Sequence, residues 1–202
     1  MFSVLHSTDR RQGPPRGPRA EAREQAILDA ALELLKEVGY DRLSIDALAE
    51  RARAGKATIY RHWSGKAEIV VDAIRRRQCQ AGVAPNTGSL RGDLVAVVTG
   101  MADTLASEDG ALIAGVLRAM QTDPELAGLV QSQMLSGMRD GFGVILERAV
   151  RRGELVSAEH AEVAHETLSS MVKYRVILSD QPVTPEFTAH LVDDIVLPLL
   201  QR

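Results

Sequence analysis

Apolar residues along this chain recur at the spacing of helices rather than of strands. From Ala20 onward, Ile27, Ala30, Ala31, Leu34 and Val38 fall at i, i+3, i+4, i+7 and i+11, which places them on one helical face. Gly39 follows, the residue type expected just past a helix end. Ser44 then caps a short helix running through Ala52, with Asp46 in the first turn to suit the helix dipole. A second short helix is predicted over 56–63 and a third over 66–80, while 81–88, with its proline and two glycines, reads as a loop.

The remainder repeats this grammar. Leu90, Leu94, Val97, Val98, Met101 and Leu105 mark one helix, and Asp109 opens another through Met120. Asp123, Pro124 and Glu125 supply an N-cap, an N1 proline and an acidic first turn for a helix that ends at Arg151, Arg152 and Gly153. Ser157 opens a helix to about Ser179, and Thr184, Pro185 and Glu186 open the last. No hairpin signal and no sustained alternation interrupts the series. The expected fold is all-α with about nine helices.

Composition narrows the setting. The chain has 202 residues, ample for a buried core, and no apolar run long enough to span a bilayer. The N-terminus lacks an apolar stretch followed by a small-residue cleavage site, and the single Cys79 excludes a disulfide framework or a multi-cysteine zinc site. These features predict a cytoplasmic protein. Net charge is only −3, but it is unevenly placed, with a basic first third joined to an acidic remainder. Most of the cationic residues are Arg, which suits phosphate recognition and equally suits a GC-rich genome. The segment RRQGPPRGPR can form neither helix nor core, so residues 1–19 read as a flexible basic arm. Arg10, Arg11, Arg16 and Arg19 could enter a minor groove there, or the arm is a leader without a role.

The two short helices at 44–52 and 56–63, joined by a tight turn, form a candidate helix-turn-helix. Leu48, Ala49 and Ile59 are placed to pack the pair, and the second helix carries Lys56, Thr58, Tyr60, Arg61 and His62 on a polar, mostly basic surface. A solvated helical hairpin would show the same charge and spacing. The run from Ala52 through Gly55, Lys56, Ala57, Thr58, Ile59, Tyr60, Arg61, His62 and Trp63 to Lys66 is more specific: it resembles the DNA-binding signature of the TetR family of bacterial repressors. Gly39, Tyr40, Leu43, Ser44, Ile45, Leu48 and Ala49 match upstream, so the resemblance covers about residues 20–75. Arg53 and Ala54 depart from it, standing where the family usually has Gly and Val. Glycine suits a turn with positive φ, so Arg53 implies strain and Ala54 a less filled space between the helices.

The resemblance implies a helix-turn-helix DNA-binding domain at 20–66 and a helical ligand-binding and dimerisation domain at 67–202. It implies that Lys56 and Arg61 meet base edges in the major groove, with Ala57 near a thymine methyl. Ser44, Thr58, Tyr60, His62 and Lys66 would meet phosphates, while Trp63 packs beneath the motif. In the second domain, Gly137, Gly141 and Gly143 interleave with Met134, Met138 and Phe142, and Met101, Leu105, Leu112, Val116 and Met120 would form the opposite wall of an effector pocket. Close helix packing against the glycines is the alternative. The last two helices offer Leu168, Met171, Val172, Phe187, Leu191, Ile195 and Leu199 for a dimer, or for an intramolecular core.

The function expected is a homodimeric repressor, released from a pseudo-palindromic double-stranded DNA operator by a lipophilic small-molecule effector. The alternative is a small-molecule binding protein whose helix-turn-helix has weakened DNA affinity. No enzyme, cofactor or metal is expected: His160 and His165 lack metal-ligand spacing, and no phosphate loop, nucleophile elbow or acid pair stands out.

Overall fold

The computed structural model describes residues 18–80 and 84–202; Arg10, Arg11 and Arg16 of the arm and the side chain of Cys79 lie outside the described residues. Nine helices make up the described chain, with no strand among the described residues. Four come first: α1 (Pro18–Arg42), α2 (Ile45–Arg51), α3 (Lys56–His62) and α4 (Lys66–Gln80). After them come α5 (Leu90–Ala106) and α6 (Glu108–Ala119). The last three are long and each contains a π-helical stretch: α7 (124–151, wide at Val130–Leu135), α8 (161–178, wide at Tyr174–Leu178) and α9 (185–200, wide at His190–Val196). No described helix is long and apolar enough to cross a membrane.

The caps explain most boundaries. Ser44, Ser89, Ser107, Asp123 and Thr184 each accept a hydrogen bond from a backbone N–H in the first turn of the helix they precede. Gly39 takes φ 75°, which breaks α1 and leaves only a terminal turn beyond it. The start of α8 differs from expectation. Ser157 Oγ accepts only from the Glu159 N–H two residues on, which makes a turn, and the helix begins at Ala161.

Two apolar cores organise the helices. The first gathers Ile27 and Leu28 of α1, Leu48 of α2, Ile59 of α3 and Ile69–Ile74 of α4, and it also takes Leu112 and Val116 of α6 and Leu126 and Val130 of α7. The second joins α5, the later part of α7, α8 and α9 around Leu94, Val98, Ile145, Leu146, Leu168, Leu191 and Val196. Thus α4, which the sequence reading sets beyond residue 66, contributes its apolar face to the first core. So do α6 and the start of α7. The helix-turn-helix is therefore seated on elements that continue directly into the rest of the chain.

Candidate nucleic-acid interface

α2 and α3 hold each other through Leu48 and Ile59, neither of which is exposed. Ser44 Oγ accepts from the Ala47 N–H at 3.2 Å, which fixes the start of α2. Arg51 binds Glu37 at 2.6 Å and Glu33 at 3.3 Å, tying α2 back to α1. The Arg51 guanidinium holds the Glu37 carboxyl below its usual range. In the turn, Arg53 adopts φ 49°, the left-handed backbone that glycine would take without strain. Ala54 is buried beneath it, its N–H donating to the Ala49 carbonyl at 2.9 Å, and Gly55 precedes α3.

α3 has two chemically distinct faces. Lys56, Ala57, Tyr60 and Arg61 point outward, and Tyr60 is 56% exposed despite its aromatic ring. Ser44 is exposed beside them and Thr58 is half-buried. Lys56 Nζ lies 2.6 Å from Asp46 Oδ1, and this hydrogen bond raises the amine's pKa. Both groups are largely in solvent, so the pair is weak and exchangeable for another anion.

The inner face is held by a polar network. His62, expected among the phosphate-facing residues, turns inward instead, with Nδ1 2.9 Å from Glu24 Oε1. Arg76 reaches both Glu24 and Asp72, while Arg75 also binds Asp72. The Trp63 indole is buried, as expected, and its Nε1–H donates to Asp72 Oδ2 at 3.1 Å. Burial would raise the Asp72 carboxyl, but hydrogen bonds from Arg75 and Trp63 and the neighbouring cations outweigh it and hold it low. Lys66 is likewise engaged: its amine donates to the Tyr40 carbonyl at 3.2 Å and sits over the Tyr40 ring. Buried Tyr40 in turn donates its hydroxyl to Asp123 at 2.7 Å, joining the end of α1 to the start of α7.

Glu24, Asp72, Arg76 and Arg51 were absent from the sequence reading. Two carried a signal. Glu24 lies three residues before Ile27 on the apolar stripe of α1, and Asp72 interrupts the buried run Ile69–Ile74. An acid on an apolar face needs a cationic or hydrogen-bonding partner.

Elsewhere the expected residues scatter. Of those assigned to an effector pocket, Leu112, Val116, Met120 and Met134 belong with the first core and Met101, Leu105 and Phe142 with the second, while Met138 is 38% exposed. They divide between the two cores and line neither of the grooves below. Two surface grooves, of about 260 and 370 Å³, lie elsewhere: one between α5 and the start of α9 around Arg91, Val95 and Thr188, the other around Met171, Tyr174, Arg175 and Phe187. Of the residues assigned to a dimer, Leu168, Val172 and Leu191 have no exposed surface and pack the protomer's own core. Met171, Phe187, Ile195 and Leu199 are half-buried. The outward apolar residues of α8 are Val163, Tyr174 and Leu178.

Comparison with known proteins adds the family context. The profile of the bacterial regulatory proteins of the tetR family matches residues 27–73, and that of the tetracyclin repressor-like C-terminal domain matches 84–195. A helix-turn-helix-type transcriptional regulator of Mycobacterium tuberculosis is 37% identical over 204 residues, covering 99% of this chain and 97% of that protein. A DNA-binding transcriptional repressor of Mycobacteroides abscessus is 33% identical over 184 residues, covering 91% and 96% respectively. Among solved structures, the TetR family transcription regulator SCO0332 superposes with a TM-score of 0.72 at 24% identity, covering 88% of this chain and 97% of its own.

Proposed function

The chain belongs to the TetR family of bacterial regulators, and on that premise we propose that it acts in the cytoplasm as a homodimeric repressor, freed from a pseudo-palindromic operator by a lipophilic effector. It is a DNA-binding transcriptional regulator, of a family that is not enzymatic. The observation that carries the proposal is the division of α3 into an outer face of Lys56, Ala57, Tyr60 and Arg61 and an inner face fixed by Ile59, His62 and Trp63. Such a helix can enter a major groove without rotating on its support. Lys56 and Arg61 then read guanine edges, while Ser44, Thr58 and Tyr60 bind phosphates and set the register. Lys66 and His62 hold the frame through Tyr40 and Glu24.

Repression and release follow from differential binding. An effector shifts the equilibrium only as far as it prefers the DNA-incompetent arrangement. The test is fluorescence anisotropy of labelled duplexes, first from the upstream region and then from random-sequence selection, at two salt concentrations. The expected result is saturation at one duplex per dimer with an affinity that falls steeply with salt. Arg61→Ala should cost about 1–3 kcal/mol on the selected duplex and far less on unrelated DNA. Failure to select any duplex would leave a small-molecule binding protein whose reading head is loosened at Arg53.

A further inference from the structure

α3 has no acid among its seven residues, yet a carboxylate stands against its outer face. Asp46 of α2 places Oδ1 2.6 Å from Lys56 Nζ, with 74% of the Asp46 side chain and 56% of the Lys56 side chain exposed. The two backbones behind this pair are fixed separately. Asp46 lies two residues past Ser44, whose hydroxyl caps α2, and Arg51 ties the far end of that helix to Glu33 and Glu37. Lys56 is the first residue of α3, at the end of a recognition helix that meets base edges. An acid in the first turn also suits the dipole of α2, but that role needs no contact with α3.

A carboxylate facing a duplex is repelled by every phosphate and finds a favourable partner only in a base that donates a hydrogen bond. In the major groove a G·C pair sets the guanine O6 acceptor beside the cytosine N4 donor, about 2.9 Å apart across their Watson–Crick bond. The Lys56 amine and the Asp46 carboxylate present the complementary donor and acceptor at a similar separation. A reversed C·G pair or an A·T pair would set amine against amine and carboxylate against a carbonyl oxygen. A T·A pair has the right order, but it offers a methyl group where guanine offers N7.

We propose that Asp46 and Lys56 together read one G·C pair in each half-site, Lys56 donating to the guanine and Asp46 accepting from the cytosine N4–H. Asp46 is then a specificity-determining residue, which disfavours the other three pairs at that position and weakens binding to unrelated DNA. The inference rests on the placing of Lys56 at base edges and extends it to the opposite strand. The test uses the full chain, wild type beside Asp46→Ala, first in selection of duplexes from random sequence. Anisotropy then follows on the wild-type duplex with N4-methylcytosine at one cytosine at a time. The methyl group replaces the donor hydrogen that faces the major groove and leaves the Watson–Crick bonds in place. Wild type should lose roughly ten- to a hundredfold in affinity at one cytosine per half-site. Asp46→Ala should be indifferent to that methyl group and bind unrelated duplexes several-fold more tightly, with an unfolding midpoint close to wild type. Replacing the paired guanine by 7-deazaguanine should still weaken Asp46→Ala, through Lys56. The proposal is overturned if Asp46→Ala selects the same bases at every position, if wild type tolerates N4-methylcytosine throughout, or if the methyl group costs both proteins equally. Each of these leaves operator binding intact, whereas a wild type that selects no duplex defeats the operator reading and this inference with it.

Discussion

Arg53 occupies the one position in the helix-turn-helix where the backbone disfavours its own side chain. An L residue at φ 49° costs about 1–2 kcal/mol relative to glycine, of which roughly 0.5–1 kcal/mol returns through glycine's greater freedom in the unfolded chain. The Arg53 side chain is exposed, so its removal opens no cavity. Arg53→Gly should therefore raise the thermal midpoint by about 1–3 °C, read by circular dichroism. An unchanged or lower midpoint would mean that the strain relieved is no larger than what glycine's freedom returns to the unfolded chain. This strain was legible in the sequence because the resemblance named the turn and the turn dictates the backbone. The inward turn of His62 was not. Its direction depends on Glu24, far away on α1, and a residue on a basic helix looks the same from sequence whether its partner is a phosphate or a buried carboxylate.

At the scale of elements, most caps were readable, Ser157 excepted, and the core membership was not. Ser44, Asp123 and Thr184 act within a few residues of themselves, so their local chemistry decides the outcome. Which core α4 and α6 join depends on how distant stripes meet, and the amphipathic pattern of each helix is the same in either arrangement. Asp123 shows both levels at once. It caps α7 by accepting from the Leu126 N–H at 3.0 Å and receives the Tyr40 hydroxyl from α1. These bonds, the Leu126 N–H first and the Tyr40 hydroxyl second, hold its carboxyl below the usual range against the opposing effect of burial. Its folded pKa is thus depressed, so its contribution is complete above the unfolded value near ~3.9 and is lost as pH falls through the folded value. Asp123→Asn keeps a good cap without the titration. Urea unfolding should show Asp123→Asn less stable than wild type at pH 7, with the gap closing between about pH 4 and pH 2 as the wild-type carboxylate takes up its proton. Asp123→Ala should lose about 1–2 kcal/mol already at pH 7. Identical acid dependence in wild type and Asp123→Asn would show that this carboxylate does not link folding to pH.

For the whole molecule, the decisive contrast is between apolar residues spent inside the protomer and those left outside it. Sequence could not separate them, because the stripes of α8 and α9 are wide enough to serve both. The structure separates Leu168, with no exposure, from Tyr174 at 63% and Leu178 at 76%. Exposed apolar residues that sit beside a groove of about 370 Å³ suit a second copy of the chain. A two-fold operator also demands a pair of α3 helices about one DNA turn, ~34 Å, apart. Tyr174→Asp should therefore leave the unfolding midpoint close to wild type yet give a monomeric mass at micromolar concentration in sedimentation velocity, with operator affinity falling at the same time. Leu168→Ala should do the reverse, losing about 2–5 kcal/mol of stability through a core cavity while the folded fraction keeps the wild-type mass. If Tyr174→Asp remains a dimer, the outer face of α8 is not the interface. A chain that is monomeric before any substitution has only one reading head, and operator binding would then need the DNA itself to bring two copies together.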